Sequence, residues 1–199
     1  MYIIKKTEER KPCMWDKEWE KANVANIALI NWSEFDYAPN TTAKILYSDY
    51  GLHIQLMTDE NPLVAKRRAQ NSDVCEESCM EFFFRPNEND ARYMNFEFNP
   101  LGTMYFAVRY DRYNSEKPEV NKKFFEVQSY VDEKIWIIQF TVPFAYIDKV
   151  FGGHTKTMYG NIYKCGSETE QEHYLSLYPI HTEEPDFHRP EAFGPFVLE

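Results

Sequence analysis

The sequence predicts an all-β protein: an antiparallel β-sandwich of two sheets, immunoglobulin-like or jelly-roll-like, with short peripheral helical turns. Three observations lead to this prediction. The apolar residues alternate mostly with a period of two, and about ten short strand-like runs are separated by turn residues. Aromatic residues make up 17% of the 199 residues, a composition that favours strands. The regular strand–helix alternation of a parallel α/β sheet is missing.

The first predicted strands form a hairpin. Residues 43–48 and 52–57 alternate in polarity, and the intervening residues 49–51 end in glycine, which is a hairpin signal. A third run, 78–85, ends at the polar, turn-rich stretch 86–90.

The clearest strand covers residues 93–99. Its apolar positions, Met94, Phe96 and Phe98, alternate with polar ones, so we expect one apolar and one polar face. A type I turn at 99–102, with Pro100 supplying the fixed φ, leads into the returning strand 103–109.

The remaining elements are shorter or less regular. We expect strands at 124–131, 134–142, 157–165, 174–180 and 196–198, and helical turns at 144–151. Residues 15–22 suggest a capping turn or peripheral helix, and residues 62–72 a loop or short helix.

Length favours one large β domain covering residues 1–199, with an N-terminal strand and covering segment at 1–41 and the main sandwich at 42–199. The net charge of -10, from 32 acidic and 22 basic residues, disfavours nucleic acid and anionic lipid as partners. No apolar run approaches a membrane span, and the first residues lack the pattern of a secretory signal. As written, the chain is expected to be cytoplasmic, or extracellular or periplasmic if a leader was removed.

The cysteines are predicted to be buried free thiols. Cys75 and Cys79 are separated by three residues instead of the two of common zinc knuckles, and no second close pair follows. Met104 with His173 or His188 could ligate haem, but nothing in their spacing distinguishes them from a core methionine and surface histidines.

Polar side chains on the predicted strands indicate a binding face. Glu81 is placed to share a sheet face with Asn95 and Glu97, next to a strand carrying Tyr105 and Arg109. Another strand carries Gln139 and Thr141 on one face. Carboxylates, amides and a guanidinium suit sugar hydroxyls, and aromatic rings suit the apolar face of a pyranose. The alternative is an antiparallel sheet with one solvated face.

A chemically dense segment, 185–194, near the C-terminus combines aromatic, ionic and turn residues. Loops of this kind often serve binding sites. The alternative is a closing loop whose Phe193 caps the core and whose Arg189 pairs with a carboxylate.

Four blocks in order, 78–84, 93–102, 160–166 and 185–194, resemble family 9 carbohydrate-binding modules over residues 42–199. The resemblance implies a β-sandwich in which two aromatic planes clamp a terminal sugar while polar side chains bind its hydroxyls. It also implies an associated glycoside hydrolase in bacterial polysaccharide degradation, and a structural calcium ion as a possible cofactor.

Carried over by position, Glu81 matches a hydroxyl-binding acid and Phe187 one clamping aromatic. The second clamping tryptophan falls at 74–76, where this chain has none, and Glu97 lies near the position of a sugar-binding arginine. Trp15, Trp19, Tyr93 and Tyr174 are candidates for the missing plane. The predicted sugar-binding residues are therefore Glu81, Asn95, Glu97, Arg109, Phe187, His188 and Arg189.

The predicted function is non-catalytic binding of a mono- or oligosaccharide derived from a plant or other polysaccharide. One alternative is a glycoside hydrolase using Glu81 and Glu97 as its carboxylate pair. Another is a degenerate domain that binds other proteins.

Overall fold

The computed structural model describes all residues from 1 to 199. Its fourteen strands are β1 (Tyr2–Lys6), β2 (Val24–Asn26), β3 (Leu29–Ile30), β4 (Thr41–Tyr47), β5 (Gly51–Thr58), β6 (Cys79–Arg85), β7 (Tyr93–Phe98), β8 (Met104–Arg109), β9 (Ser115–Glu116), β10 (Gln128–Val131), β11 (Trp136–Pro143), β12 (Thr157–Gly166), β13 (His173–Ser176) and β14 (Gly194–Leu198). The single α-helix is α1 (Phe144–Phe151), and short 3-10 helices lie at Lys17–Glu20, Val74–Glu76 and Pro190–Ala192.

The strands form two sheets joined through β1. The front sheet has the order β14–β12–β6–β7–β8–β9, with β13 beside β12 and β3 beside β13; the back sheet has the order β10–β11–β5–β4–β2. Strand β1 pairs first with β14 and then with β4, parallel to both, whereas all other pairings are antiparallel. The predicted all-β sandwich is thus confirmed, with one strand that passes between its sheets.

The core between the sheets is built largely from phenylalanine. Phe96 on β7 is fully buried, and its ring lies 4.6 Å from Phe106, 4.9 Å from Phe125 and 5.1 Å from Phe140, measured between centroids. Offset and edge-on contacts at these distances are favourable beyond the area they bury. The strand predicted at 124–131 begins only at Gln128. Phe125 therefore lies in a turn and packs into the core from there.

A lysine–glutamate ion pair is buried on the inner side of the front sheet. The Lys164 ammonium lies 2.8 Å from a Glu60 carboxylate oxygen and donates to His173 Nε2, also at 2.8 Å. Burial and the nearby Lys164 charge lower the pKa of His173 to about 3. The imidazole is therefore neutral at physiological pH and accepts this hydrogen bond.

The turn after β11 is closed by a short helix. Pro143 precedes α1, and the helix ends at Gly152, whose φ of 71° lies in the left-handed region that favours glycine. No helix of the protein is long and apolar enough to cross a membrane.

Both outer sheet faces are covered by irregular chain. The segment around Pro12 and Met14 lies over the back sheet, where the carbonyl of each accepts a glutamine hydrogen bond. Over the front sheet, Trp32, Val74 and Phe187 form a second apolar cluster with outward residues of the strands. The open solvated face considered from the sequence is therefore not what the fold contains.

Candidate functional site

The polar row of the candidate site crosses four neighbouring strands of the front sheet. In register, Tyr163 on β12 is opposite Glu81 on β6, Glu81 is opposite Glu97 on β7, and Glu97 is opposite Tyr105 on β8. Directly opposed residues point to the same side of a sheet. Side chains alternate between the two faces along β6 and β7. Phe82 on β6 and Phe96 on β7 therefore point into the core, and Glu81 and Glu97 point outward.

Glu81 and Glu97 are almost completely buried, at 2% and 5% exposure. Burial raises the pKa of the Glu81 carboxyl well above its usual value, and the neighbouring Glu97 charge raises it further. Burial also raises the pKa of Glu97, opposed in part by a hydrogen bond from Asn95 Nδ2 at 3.0 Å. The site therefore holds two acidic groups that destabilise each other's charged form.

Arg109 supports the row without binding either carboxylate. Its Nε donates to Asn95 Oδ1 and its Nη2 to the Tyr105 hydroxyl, both at 2.8 Å, while Nη1 donates to the Arg112 carbonyl at 2.8 Å. Asn95 in turn donates to Glu97. Arg109 consequently orients Asn95 and the 109–112 turn, and its nearby positive charge opposes the rise in the pKa of Glu97.

A pocket of about 190 Å³ opens above this row. Glu81 and Glu97 lie in its wall with residues from the 3-10 helix at 74–76, from β12 and β13, and from the C-terminal loop. The lining residues are Cys75, Glu81, Glu97, Arg112, Cys165, Ser167, Tyr174, Pro185, Asp186, Phe187 and His188.

Phe187 forms an aromatic wall of this pocket. One of its faces is stacked on Tyr163, with centroids 4.1 Å apart and planes 6° from parallel. Tyr174 meets it edge-on at 6.2 Å, and Trp32 is tilted against it at 6.1 Å. A ring has two faces and Tyr163 covers one, so only the other face of Phe187 is left for a ligand.

The second aromatic plane is not where the resemblance placed it. Of residues 74–76, Val74 is fully buried and Cys75 lines the pocket. Among the four candidates for that plane, Tyr174 lines the pocket. Trp15 packs against Tyr130 on the back sheet, and Trp19 lies in a separate small cluster. The fourth, Tyr93, is tilted against the ring of His188, and its hydroxyl lies 3.0 Å from His188 Nδ1.

His188 and Arg189 follow Phe187 but point to different places. The His188 ring stacks on Phe83, with centroids 5.0 Å apart, and its Nδ1 lies 3.0 Å from the Tyr93 hydroxyl. Burial lowers the pKa of His188 to about 3, so it lines the pocket as a neutral ring. Arg189 instead faces an adjoining groove and lies 3.4 Å from Asp186.

This groove has a volume of about 630 Å³ and meets the pocket at Arg112, Pro185 and Asp186, which line both. Arg112 is ion-paired with Asp186. Tyr113, which is 87% exposed, also lines the groove. The pocket is thus continuous with a longer open surface.

Sequence reasoning missed several pocket residues. Cys165 alternates with the inward Ile162 and Lys164 along β12, so its outward direction could have been read from the period of two. Arg112, Ser167 and Asp186 lie in irregular turns, where no periodicity signals their direction. Gln139 and Thr141, considered for the same face, lie on the back sheet and contribute nothing to the pocket.

The haem alternative is wrong in its pairing of ligands. Met104 belongs to the inner core, whereas His188 lies on the outer face of the same sheet. His173 on β13 is four strand spacings from β8, about 19 Å at roughly 4.8 Å per spacing. Neither histidine forms an axial pair with Met104.

A two-sheet β protein with a small, acid-lined pocket on one outer face is the class defined by this geometry. The family model described as carbohydrate-binding family 9 matches residues 10–198. The chain therefore belongs to carbohydrate-binding family 9, and the resemblance noted from its sequence blocks is confirmed.

Solved structures share the fold. A protein from Bacteroides uniformis ATCC 8492, described as a candidate carbohydrate-binding protein, is 24% identical with a TM-score of 0.83, covering 99% of this chain and 98% of its own. A family 9 module from Caldicellulosiruptor kristjanssonii in complex with glucose is 9% identical with a TM-score of 0.70, covering 99% and 94%. A family 9 module from the same organism in complex with cellotriose is also 9% identical with a TM-score of 0.70, covering 100% of this chain and 93% of its own. No curated protein matches the chain.

Proposed function

We propose that this protein binds carbohydrate without catalysis, holding one terminal sugar ring in the pocket between Phe187 and the Glu81–Glu97 pair. The observation that carries the proposal is the presence of an aromatic wall and two carboxylates in one small pocket. Ring C–H groups pack on an aromatic face, while hydroxyls need acceptors and donors at fixed positions. Arg112 supplies donors, and the carboxylates supply acceptors.

The size of the pocket favours one ring over a longer buried ligand. Its volume of about 190 Å³ is below the range of roughly 300–1,000 Å³ for sites that enclose drug-sized molecules. The adjoining groove then offers room for further rings of an oligosaccharide, with the exposed Tyr113 as a stacking surface. Family membership and the sugar-bound family 9 structures support this assignment.

Hydrolysis is the second candidate, because Glu81 and Glu97 are directly opposed on adjacent strands. A glycosidase places its two carboxylates on either side of the scissile bond. Here both project from the same sheet face, with Cβ atoms about 5 Å apart for a directly opposed pair. A ring in the pocket therefore meets both carboxylates from one side, an arrangement that suits binding.

Calorimetric titration with glucose, cellobiose and cellotriose tests the proposal. Phe187→Ala and Glu81→Gln should each weaken binding about 10- to 100-fold, the scale of one lost charge-assisted hydrogen bond or stacking contact. Tyr130→Ala and Glu133→Gln, at exposed positions of the back-sheet edge, are matched controls and should bind as the wild type does. Tyr113→Ala should weaken the trisaccharide and leave glucose unchanged.

No heat of binding with these sugars, together with no binding to a wider glycan array, would contradict the binding proposal. Turnover of aryl glycosides that disappears in Glu81→Gln would favour the hydrolase instead. Sugar affinity that survives Phe187→Ala would move the site away from this pocket.

A further inference from the structure

Two cysteines and a glutamate form a compact buried cluster beside the pocket. Cys79 on β6 is directly opposite Cys165 on β12, and Glu81 follows Cys79 by two residues on the same face. One ligand atom from each of the three lies within 4.8 Å of the others. All three residues are at most 2% exposed.

Sugar binding gives a role to Glu81 but not to the two thiols beside it. Thiols are poor partners for hydroxyl groups, yet the Cys165 thiol is the closest donor to Glu81, at 3.0 Å from Oε1. Arg109, the nearest guanidinium on the sheet, donates elsewhere. If Glu81 and Glu97 ionise, the buried pair therefore has no cation in contact with it, and buried charges are normally paired or coordinated to a metal.

We propose that Cys79, Cys165 and Glu81 form a binding site for a thiophilic divalent cation, with Zn²⁺ the best match. Two sulfurs and one carboxylate oxygen suit Zn²⁺, whereas Ca²⁺ and Mg²⁺ require oxygen ligands. The cluster thus fits zinc and does not fit the structural calcium implied by the family. In a tetrahedral zinc site, ligand atoms are about 3.3–3.8 Å apart, given metal–ligand distances of about 2.0–2.3 Å. The three ligand atoms, which lie within 4.8 Å of one another, would have to move closer by about 1 Å to bind the ion.

The fourth coordination position lies on the pocket side. Cys75 lines the pocket together with Glu81 and Cys165, and its carbonyl accepts from the Cys165 thiol at 3.5 Å. A water molecule in the pocket completes the tetrahedron, because the Cys75 thiol lies outside the three-residue cluster. The pocket also provides the path by which the ion enters and by which the thiol protons released on coordination leave to solvent.

The test is a titration of the reduced full-length protein with Co²⁺ and Zn²⁺, without sugar. Co²⁺ reports the ligands directly, because thiolate coordination gives charge-transfer absorption and tetrahedral geometry gives intense visible bands. We expect one ion per chain, and more than about 100-fold weaker binding in Cys165→Ser or Cys79→Ser, beyond the 10- to 100-fold scale of outer-shell changes. Cys13→Ser should bind as the wild type does, because Cys13 is exposed, contrary to the burial predicted for the cysteines, and its neighbours Pro12 and Met14 lie over the back sheet. Circular dichroism establishes that the variants are folded.

Absence of thiolate–cobalt absorption in the reduced protein would overturn the proposal, as would an unchanged signal in a folded Cys165→Ser. Formation of a Cys79–Cys165 disulfide in air, with no metal uptake after reduction, would also overturn it. Because no sugar is present, these results are independent of the proposed carbohydrate binding. Sugar titrations repeated with a chelator separate the two ligands.

Discussion

The two outer faces of the sandwich are both polar and both covered by irregular chain, yet they differ in how their polar groups are satisfied. On the back sheet, His53 Nδ1 lies 3.0 Å from the Thr141 hydroxyl and its Nε2 lies 2.9 Å from Ser48. There Gln139 donates to the Pro12 carbonyl at 2.8 Å and accepts from Gln55 at 3.2 Å. Each of these side chains is neutral and has a partner within the protein.

The front sheet instead buries Glu81 and Glu97 side by side next to a pocket, with no cation in contact with either. The pKa of each carboxyl is raised by burial. Polarity of a sheet face therefore does not by itself identify a site. Buried acidic groups with no counter-charge in contact, beside space for a ligand, do identify one.

Of the changes that test this comparison, acidification should produce the largest loss of stability on the back face, through His53. Burial lowers the pKa of His53 to about 4 from 6.5, so the folded protein excludes a proton that the unfolded chain binds between these values. Stability is therefore lost as pH falls from about 6.5 to 4, by about 3 kcal/mol from this residue. Denaturant unfolding across this pH range measures it.

His53→Gln should remove that part of the pH dependence, whereas His181→Gln, at an exposed position, should not. A wild-type and His53→Gln pair with parallel stability–pH curves would contradict a neutral, buried His53. The comparison of slopes is needed because His173 and His188 titrate with the same sign.

Gln139→Ala should cost about 2 kcal/mol of unfolding free energy, because the Pro12 carbonyl and the Gln55 amide lose their buried partner. The shift is measured as a lower denaturation midpoint with an unchanged m-value. Sugar affinity should stay the same. A fall in affinity would show that the back face contributes to binding and would break the distinction between the two faces.

Glu97→Gln should have the opposite sign, raising the unfolding free energy of the ligand-free protein by about 1 kcal/mol. One of two adjacent buried carboxylates becomes neutral, which removes the cost of burying that charge and its repulsion of Glu81. Unfolding at pH 8 in the presence of a chelator measures the change, with Glu133→Gln as the exposed control. Destabilisation as large as that of Gln139→Ala would mean that the front face, too, is built for stability.

Most of the strand layout follows from local sequence. The strand predicted at 93–99 is β7 (Tyr93–Phe98), one residue shorter. Phe96 points inward and Glu97 outward, as the period of two predicts, because each side chain's direction depends only on its position in the strand. The turn before β8 and the helical turns at 144–151 were likewise readable from proline and glycine. The strand predicted from 124 was too long, since tertiary packing draws Phe125 into the core from a turn.

The sequence by itself determined the sandwich and the outward direction of Glu81, Asn95 and Glu97, because these depend on alternation. Only the tertiary structure decided that Gln139 lies on the other sheet, that Arg189 leaves the pocket and that Arg112 enters it. Those outcomes depend on which strands pair and on how loops fold back over the sheet. Both are contacts between residues far apart in the chain, and no local pattern encodes them.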